Sequence, residues 1–407
     1  MEPEAEGMGV GPGDPFPESG PVVPDWQRQI EEARRFVVKL GTNVLSRESG
    51  ELALGRIHAI IEEVVDLVRA GRQVIIVTSG AISLGMQRLG FAERPQLLAD
   101  KQACAAVGQS RLMGVYQDAF DRYRIATAQI LLTEEDFSSR PRYLSLRSTL
   151  QRLLQLGVVP IINENDSVST SEIETFMSKP GTPDHIPVFG DNDTLSALVA
   201  AKLDADVLIL LSDVDGLYTA PPGESGAVKI PVVEAVTPRL EAMAGESSAR
   251  GRGGMRTKLR AAKIATRSGV LVLIAKGGEP AILRRILEGD EVGTVFLARR
   301  ELSGKKRWIA FATAVKGQVR INDGARDALV QRQASLLFAG VLSLAGDFQR
   351  GDVVGISDAQ GQEFARGVAN YSRTDAEPLV GKRSGEIKDR LAPGTGELIT
   401  RDSIVIL

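Results

Sequence analysis

The chain has 407 residues with 49 basic and 52 acidic side chains, and its net charge of −3 argues against a protein that binds nucleic acid over its whole surface. A single cysteine, Cys104, excludes an internal disulfide, and with only two histidines it argues against a zinc site. No apolar run approaches the ~20 residues that span a bilayer, so we expect no membrane segment and a cytoplasmic location.

The first 27 residues are rich in Pro, Gly and Glu and contain no Lys or Arg. They lack the basic start and apolar centre of a signal peptide. A segment of this composition buries too little apolar surface to fold by itself. We therefore expect residues 1–27 to form a disordered tail.

The next 260 or so residues, from 35 to 297, alternate apolar runs with amphipathic segments. The apolar runs predict strands at Phe36–Leu40, Val74–Val77, Ile125–Leu132, Val158–Ile162, Val207–Leu211 and Val270–Ala275. The amphipathic segments predict helices at Leu54–Ala70, Ala99–Tyr123, Pro141–Leu156, Asp193–Ala201, Met255–Ser268 and Ala281–Leu287. Repeated strand–helix–strand units favour an α/β fold, with a mostly parallel open sheet sandwiched by helices.

The pattern changes after Glu301. Short runs separated by glycines predict strands at Trp308–Phe311, Val319–Ile321, Ser335–Phe338, Val353–Ile356 and Phe364–Val368. Their spacing favours a small β-rich domain that is partly closed as a barrel. The basic triplet Lys305–Arg307 stands between the two regions as a linker or an edge.

Two lysines that are far apart in the chain each lie beside glycines. Lys39 ends the first apolar run and is followed by Gly41, and Lys258 closes the glycine-rich stretch Gly251–Thr257. Glycines let backbone N–H groups approach an anion closely, and a helix N-terminus adds its dipole. Neither stretch matches a Walker loop, and a strand that ends in Lys-Leu-Gly is common by itself. As a pair, the two lysines are typical of a site for phosphoryl transfer.

Four polar loops lie between these lysines, next to the ends of predicted strands or the start of a predicted helix. They are Thr78–Ala81, Asn163–Asp166, Gly190–Asp193 and Ser212–Tyr218. Ligands of open α/β sheets bind at the carboxyl ends of strands, so we expect the loops to converge. Each has a structural alternative, for example Asp193 as a helix cap, but the ordered set favours a site.

The motifs K-L-G-T-N, T-S-G-A-I, N-E-N-D, G-D-N-D, S-D-V-D-G-L-Y and G-G-M-R-T-K resemble, in this order, those of the amino acid kinase family. They are most similar to the branch that phosphorylates the side-chain carboxylate of L-glutamate, the first step of proline biosynthesis. The C-terminal region resembles a PUA domain. Beyond the expected tail at 1–27, the resemblance implies a kinase domain at 35–300 and a PUA-like domain at 316–394.

The resemblance also implies roles for individual residues. The catalytic set would be Lys39, Lys258 and Asp193, with Asp193 holding both lysines. The substrate positions would be Ser79, Asp166 and Asn192, supported by Asn163 and Asp191. The ATP positions would be Lys39, Gly41, Thr42, Ser212, Asp213, Arg252, Gly253, Gly254, Met255, Arg256, Thr257 and Lys258. Mg²⁺ would accompany ATP on phosphates and water, without an assigned protein ligand.

Two features depart from the family pattern, and two alternatives stay open. Arg252 stands where the family often has Thr, and the Pro- and Gly-containing stretch Thr175–Phe189 is longer than usual and is expected to be a mobile cover.

A kinase for another small carboxylate is one alternative. RNA binding through the C-terminal domain is the other, with the triplet Lys305–Arg307, Arg366 and Arg373 on phosphate; we prefer a solvated basic face. The family also implies proline as a feedback inhibitor and a homo-oligomer, dimeric or tetrameric.

Overall fold

The computed structural model describes residues 25–168, 191–222, 224, 226–243, 254–299, 306, 309–310, 315–386 and 396–407. The strands are β1 (Arg35–Leu40), β2 (Gln73–Val77), β3 (Thr127–Leu132), β4 (Val159–Glu164), β5 (Val207–Ser212), β6 (Leu217–Tyr218), β7 (Lys229–Ile230), β8 (Val232–Val233), β9 (Leu271–Lys276), β10 (Thr294–Phe296), β11 (Gly317–Ile321), β12 (Val341–Gly346), β13 (Val353–Ser357), β14 (Glu363–Val368) and β15 (Ile404–Ile406).

The labelled helices are α1 (Asp25–Glu32), α2 (Thr42–Leu45), α3 (Leu54–Arg69), α4 (Ala81–Leu89), α5 (Leu98–Asp121), α6 (Glu135–Ser138), α7 (Arg140–Gln155), α8 (Asn192–Lys202), α9 (Pro238–Met243), α10 (Met255–Arg267), α11 (Ile282–Leu287), α12 (Asp323–Arg332) and α13 (Arg373–Ala376). Within the described residues, none of the helices has the length and apolar character needed to cross a membrane.

An eight-stranded sheet organises the larger part of the molecule. Its strands lie in the order β3-β4-β2-β1-β5-β9-β10-β8, and the first six run parallel to one another. Strand β10 runs antiparallel to β9, and β8 pairs with β10 in parallel. The prediction of a mostly parallel sheet is therefore confirmed. The parallel arrangement places the carboxyl ends of β1, β2, β4 and β5 at one edge of the sheet.

Helices cover both faces of this sheet, as predicted. Alternate residues of β1 point to opposite faces, because side chains alternate along a strand. Val38 belongs to the apolar cluster that includes Ile57 of α3 and Leu112 of α5. Val37 belongs to the opposite cluster, which includes Leu198 of α8 and Leu259 of α10.

The N-terminal helix α1 begins inside the segment that was predicted to be disordered. Residues 1–24 lie outside the described residues. Ile30 is buried in the first apolar cluster and Trp26 packs against it, while Gln27 Nε2 donates to Gly289 O at 2.8 Å. The prediction of a disordered tail is wrong for residues 25–27. It rested on the Pro- and Gly-rich composition of the segment, whereas these residues begin a helix that apolar side chains anchor to the core.

Helix α4, which the sequence analysis did not predict, packs unusually closely against α5. A Cβ atom at Gly108 would lie 1.7 Å from Ala81 O, and one at Gly85 would lie 1.8 Å from Cys104 O. Both glycines therefore allow backbone-to-backbone contact between the two helices. Because α4 starts at Ala81, this contact fixes the polar loop that follows β2.

Gly108→Ala is expected to lower the free energy of unfolding by about 1–3 kcal/mol, the usual cost of overpacking, because the added methyl group forces the two helices apart. The measurement is chemical or thermal unfolding. Gly114→Ala on the same helix is the matched control, since no atom lies within 4 Å of its added Cβ. Alanine there should stabilise the helix slightly. If both variants melt alike, the close contact does not constrain the pair.

A second sheet forms the C-terminal region, with strand order β12-β11-β13-β14-β15. It surrounds a separate cluster of buried side chains that includes Val319, Phe338 and Ile356. Strand β15 lies beyond residue 394, where the PUA-like domain was expected to end. The boundaries at 300, 316 and 394 stay a proposal.

Contacts between the C-terminal region and the kinase-like region are present among the described residues. Arg267 Nη2 of α10 donates to Ile406 O at 3.2 Å. Tyr143 of α7 packs against a small buried cluster that contains Val353 and Val405.

Two of the predicted strands in the C-terminal half are wrong. Within Trp308–Phe311, Ile309 and Ala310 are helical and buried, while Trp308 and Phe311 lie outside the described residues. An apolar run of four residues does not distinguish a buried helix from a strand. Ser335–Phe338 makes only one bridge, from Leu336 to Ile399, before a short 3₁₀ turn.

Candidate active site

The predicted site residues that the structure describes gather at the carboxyl edge of the large sheet. One cleft there is lined by Lys39, Gly41, Thr42, Ser79, Asn163, Asp166, Asp191, Asn192, Asp193, Ser212, Asp213 and Lys258. Gly254, Met255, Arg256 and Thr257 form the start of α10, directly before Lys258. Arg252, Gly253 and the stretch Thr175–Phe189 lie outside the described residues.

Asp193 connects the two lysines at the centre of the cleft. Its Oδ1 atom lies 2.6 Å from Lys39 Nζ, and its Oδ2 atom lies 3.3 Å from Lys258 Nζ. Lys39 and Lys258 are 6% and 4% exposed, and Asp193 is fully buried. Two positive charges and one negative charge leave the group with a net charge of +1. Such a group suits a ligand with dense negative charge.

The two lysines also hold Asp193 in its ionised form. Burial by itself would raise the pKa of Asp193, but the charges of Lys39 and Lys258 outweigh burial and lower it to about 2. Thr257 Oγ1 adds a hydrogen bond to Asp193 Oδ2 at 3.0 Å. The carboxylate is therefore charged at any physiological pH.

The N-terminus of α10 faces the same region. Its N-cap is Gly254, and no side chain of the described residues forms a cap hydrogen bond there. The first backbone N–H groups of a helix have no partner within the helix, and its dipole attracts anions. Lys258 lies in the first turn, so its ammonium and the uncapped N–H groups can act on one phosphate.

Asp191, and not Asp193, caps α8. Asp191 Oδ1 accepts a hydrogen bond from Thr194 N at 2.7 Å, which is the usual N-cap contact. Burial and the neighbouring charge of Asp193 raise the pKa of Asp191. The structural alternative for Asp193 is therefore wrong, because the cap lies two residues earlier.

The substrate end of the cleft is built from amide and hydroxyl groups. Asn192 Nδ2 donates to Ser79 Oγ at 3.0 Å and to Asn163 Oδ1 at 3.2 Å. Asp166 and Asp191 also line this end. Carboxylates suit an ammonium group, whereas hydroxyl and amide N–H groups suit a carboxylate.

The opposite end of the cleft lies beside Asp213. Ser212 Oγ donates to Asp213 Oδ1 at 2.9 Å, and Asn43 Nδ2 donates to Asp213 Oδ2 at 2.7 Å. Burial would raise the pKa of Asp213, but these two hydrogen bonds, a backbone hydrogen bond and the charge of Lys258 together outweigh it and lower the pKa. Gly41 leaves little room here, since a Cβ atom would lie in tight contact with Leu211 O at 3.3 Å and in ordinary contact with Lys39 Nζ at 3.5 Å.

Several residues that shape the cleft were not among the predicted site residues. Asn43 belongs to the K-L-G-T-N motif, which was the available signal, but no role was assigned to it. Arg94 lines the cleft from a loop without a recognisable pattern. Gln109 lies within α5 and accepts a hydrogen bond from Asn163 Nδ2 at 2.8 Å. Only the fold brings Arg94 and Gln109 to the site.

Of the basic side chains that were considered for RNA binding, Arg366 and Arg373 have local partners, whereas Lys305 and Arg307 lie outside the described residues. Arg366 Nε donates to Glu363 Oε1 at 2.7 Å, and Arg366 Nη1 donates to Ala310 O at 3.2 Å. Arg373 Nη1 donates to Gly346 O at 3.1 Å. These contacts give both arginines a structural role within the C-terminal region.

Comparison with known proteins agrees with the motifs. The amino acid kinase family matches residues 34–276, and the PUA domain matches residues 317–391. The glutamate 5-kinase of Moorella thermoacetica is 46% identical over 382 residues, which cover 93% of this chain and 97% of that protein. The glutamate 5-kinase of Myxococcus xanthus is 44% identical over 386 residues, again covering 93% and 97%. The predicted resemblance is confirmed: the chain belongs to the amino acid kinase family.

Proposed function

We propose that the protein is a glutamate 5-kinase, which transfers the γ-phosphoryl group of ATP to the side-chain carboxylate of L-glutamate. The product, L-glutamyl 5-phosphate, is the first intermediate of proline biosynthesis. The observation that carries this proposal is the buried lysine pair on Asp193, placed between a polar pocket and an uncapped helix N-terminus. The names of the relatives support glutamate as the acceptor.

The chemistry needs no side-chain base, because a carboxylate is already a nucleophile at neutral pH. One carboxylate oxygen forms a bond to the γ-phosphorus, and the bond from that phosphorus to the oxygen of the leaving ADP breaks. Lys39 and Lys258 stabilise the negative charge that develops on the transferring group and on the leaving oxygen. Asp193 keeps the two ammonium groups at a fixed separation before the reaction begins.

The residues of the cleft fit a nucleotide with a bound Mg²⁺. Thr42 at the start of α2 and the first residues of α10 offer backbone N–H groups for phosphate, whereas Gly41 N already donates to Leu211 O at 3.2 Å. In the described part of the chain, no group of three or more His, Cys, Asp or Glu side chains could hold a metal. An Mg²⁺ ion bound with the nucleotide would be held for the most part by phosphate oxygens and water, and would neutralise phosphate charge.

The competing proposal is a kinase for another small acceptor, and an ADP-release assay separates the two. L-Glutamate, N-acetyl-L-glutamate, L-aspartate and UMP are offered with ATP and Mg²⁺. We expect ADP release that depends on L-glutamate, with the other three acceptors at least tenfold less efficient. Turnover with another acceptor but not with L-glutamate would exclude the proposal.

Asp166→Ala is expected to raise KM for L-glutamate about 10–100-fold with a small change in kcat. We assign Asp166 to the ammonium of the bound amino acid, and a charged hydrogen bond contributes about 1.5–3 kcal/mol. The measurement is steady-state kinetics with varied L-glutamate. Asp118→Ala, an exposed position on α5, is the control. A fall in kcat at unchanged KM would remove Asp166 from ground-state binding.

The resemblance to the amino acid kinase family supports two further proposals, one about an inhibitor and one about the oligomeric state. We propose that proline inhibits the enzyme, since it is the end product of the proposed reaction sequence. We also propose a homo-oligomer, either a dimer or a tetramer. Light scattering with and without proline, alongside inhibition kinetics, tests both.

A further inference from the structure

Three amide side chains form a hydrogen-bonded chain behind the substrate end of the cleft. Asn192 Nδ2 donates to Asn163 Oδ1 at 3.2 Å, and Asn163 Nδ2 donates to Gln109 Oε1 at 2.8 Å. Asn163 and Gln109 are 2% and 7% exposed. Asn163 therefore uses its acceptor group toward Asn192, which lines the cleft, and its donor group toward Gln109 of α5.

The two ends of this chain carry opposite hydrogen-bonding groups. At the cleft end, Asn192 Oδ1 is a buried acceptor without a hydrogen-bond partner in the described part of the chain. At the far end, Gln109 Nε2 is a buried donor without one. Unsatisfied buried polar atoms are rare in native proteins and call for a reason. An acceptor beside a carboxylate-lined pocket suits a ligand that brings its own donor.

We propose that Gln109 is a positioning residue that sets the direction of the amide chain and thereby presents Asn192 Oδ1 to the ammonium of the substrate. The inference rests on the proposed function, because that ammonium belongs to L-glutamate. If position 109 could only donate, the amide of Asn163 would turn over. Asn192 would then turn its donor group toward the ammonium, and the two would repel each other.

The backbone around Gln109 is suited to this task. Gly108, the preceding residue, brings α5 into backbone contact with Ala81 of α4. The first turn of α4 follows Ser79, which is also a hydrogen-bond partner of Asn192. Two adjacent residues of α5 thus determine the position of Ser79 through the backbone and the orientation of Asn192 through Asn163.

Three substitutions at position 109 test the direction of the chain. Gln109→Glu keeps an acceptor, Gln109→Met removes both groups at similar size, and Gln109→Lys leaves only donors. We expect KM for L-glutamate to change less than twofold in the Glu variant and to rise about tenfold in the Met variant, the upper effect of one ordinary hydrogen bond. It should rise further in the Lys variant. In all three, kcat should change less than KM.

A role confined to packing gives the opposite order. A buried carboxylate is costlier than a thioether, so Glu would then be worse than Met. That order, or a Lys variant with better KM than the Glu variant, would overturn the proposal. Melting curves identify variants that fail to fold. If the Lys variant does not fold, the KM values of the Glu and Met variants still distinguish the positioning role from a packing role.

Calorimetric binding of L-glutamate and of glutarate separates this inference from the proposed function. Glutarate has both carboxylates but no ammonium, so Gln109→Met should weaken L-glutamate about tenfold and leave the weaker binding of glutarate nearly unchanged. Equal losses for both ligands would overturn the positioning role alone. A wild-type protein that binds neither ligand would instead overturn the proposed substrate, and the positioning role with it.

Discussion

Lys258→Ala is expected to lower kcat about 10²–10³-fold, with a much smaller change in KM for L-glutamate. This is the usual loss when one preorganised donor to a developing charge is removed. Lys258 is 4% exposed and held by Asp193, so its ammonium needs little reorganisation during the reaction. The measurement is steady-state kinetics at saturating ATP and L-glutamate.

Lys263→Ala is the matched control, because it removes a lysine from the same helix that is partly exposed and pairs with Glu241 at 2.9 Å. It should keep kcat within a factor of two. Lys39→Ala should resemble Lys258→Ala, and the double variant should lose less than the product of the two effects, since the lysines act as one unit. A folded Lys258→Ala protein with near-normal kcat would contradict the role of the lysine pair.

Asp193→Asn is expected to impair both stability and catalysis. Removing one partner of a buried ion pair typically costs about 3–5 kcal/mol, and here two buried ammonium groups lose their shared carboxylate. The free energy of unfolding should fall by about that amount. Since Lys39 and Lys258 also lose their fixed separation, kcat should fall at least as far as in Lys258→Ala. Urea unfolding and steady-state kinetics measure the two effects.

The low pKa of Asp193 adds a pH dependence to this prediction. A carboxylate with a lowered pKa contributes stability fully above its unfolded value of about 3.9, and the contribution is lost as the pH falls toward 2. Acid unfolding of the wild type should therefore include this loss, and Asp193→Asn should lack it. Asp191→Asn, which keeps a good helix cap, should melt close to the wild type. Equal stability of Asp193→Asn and the wild type would contradict the bridging role.

The sequence was sufficient for the sheet because its strands are nearly continuous apolar runs. Val207–Leu211, for example, is buried on both faces in the structure, and buried strands carry this pattern. The same apolar pattern led to the wrong prediction of a strand at Ile309 and Ala310, which are helical. Pattern alone does not separate a buried strand from a buried helical turn.

For residues in loops at strand ends, the sequence alone predicts that they meet at one site. Ser79, Asn163 and Ser212 follow or end strands of one parallel sheet, so their meeting follows from topology. Gln109 could not be found in this way, because it lies in the middle of α5. Its role depends on the hydrogen bond from Asn163, which forms only when the chain is folded.

The most direct test of the account follows an oxygen atom from the acceptor to phosphate. L-Glutamate labelled with ¹⁸O in the side-chain carboxylate is incubated with ATP and Mg²⁺. The acyl phosphate then releases phosphate when its own amine closes the ring, which breaks the bond from carbon to the bridging oxygen. Phosphorus NMR should show one ¹⁸O in the released phosphate, in step with ADP formation. ADP formation with unlabelled phosphate would mean that water, and not the carboxylate beside the lysine pair, attacks the γ-phosphorus.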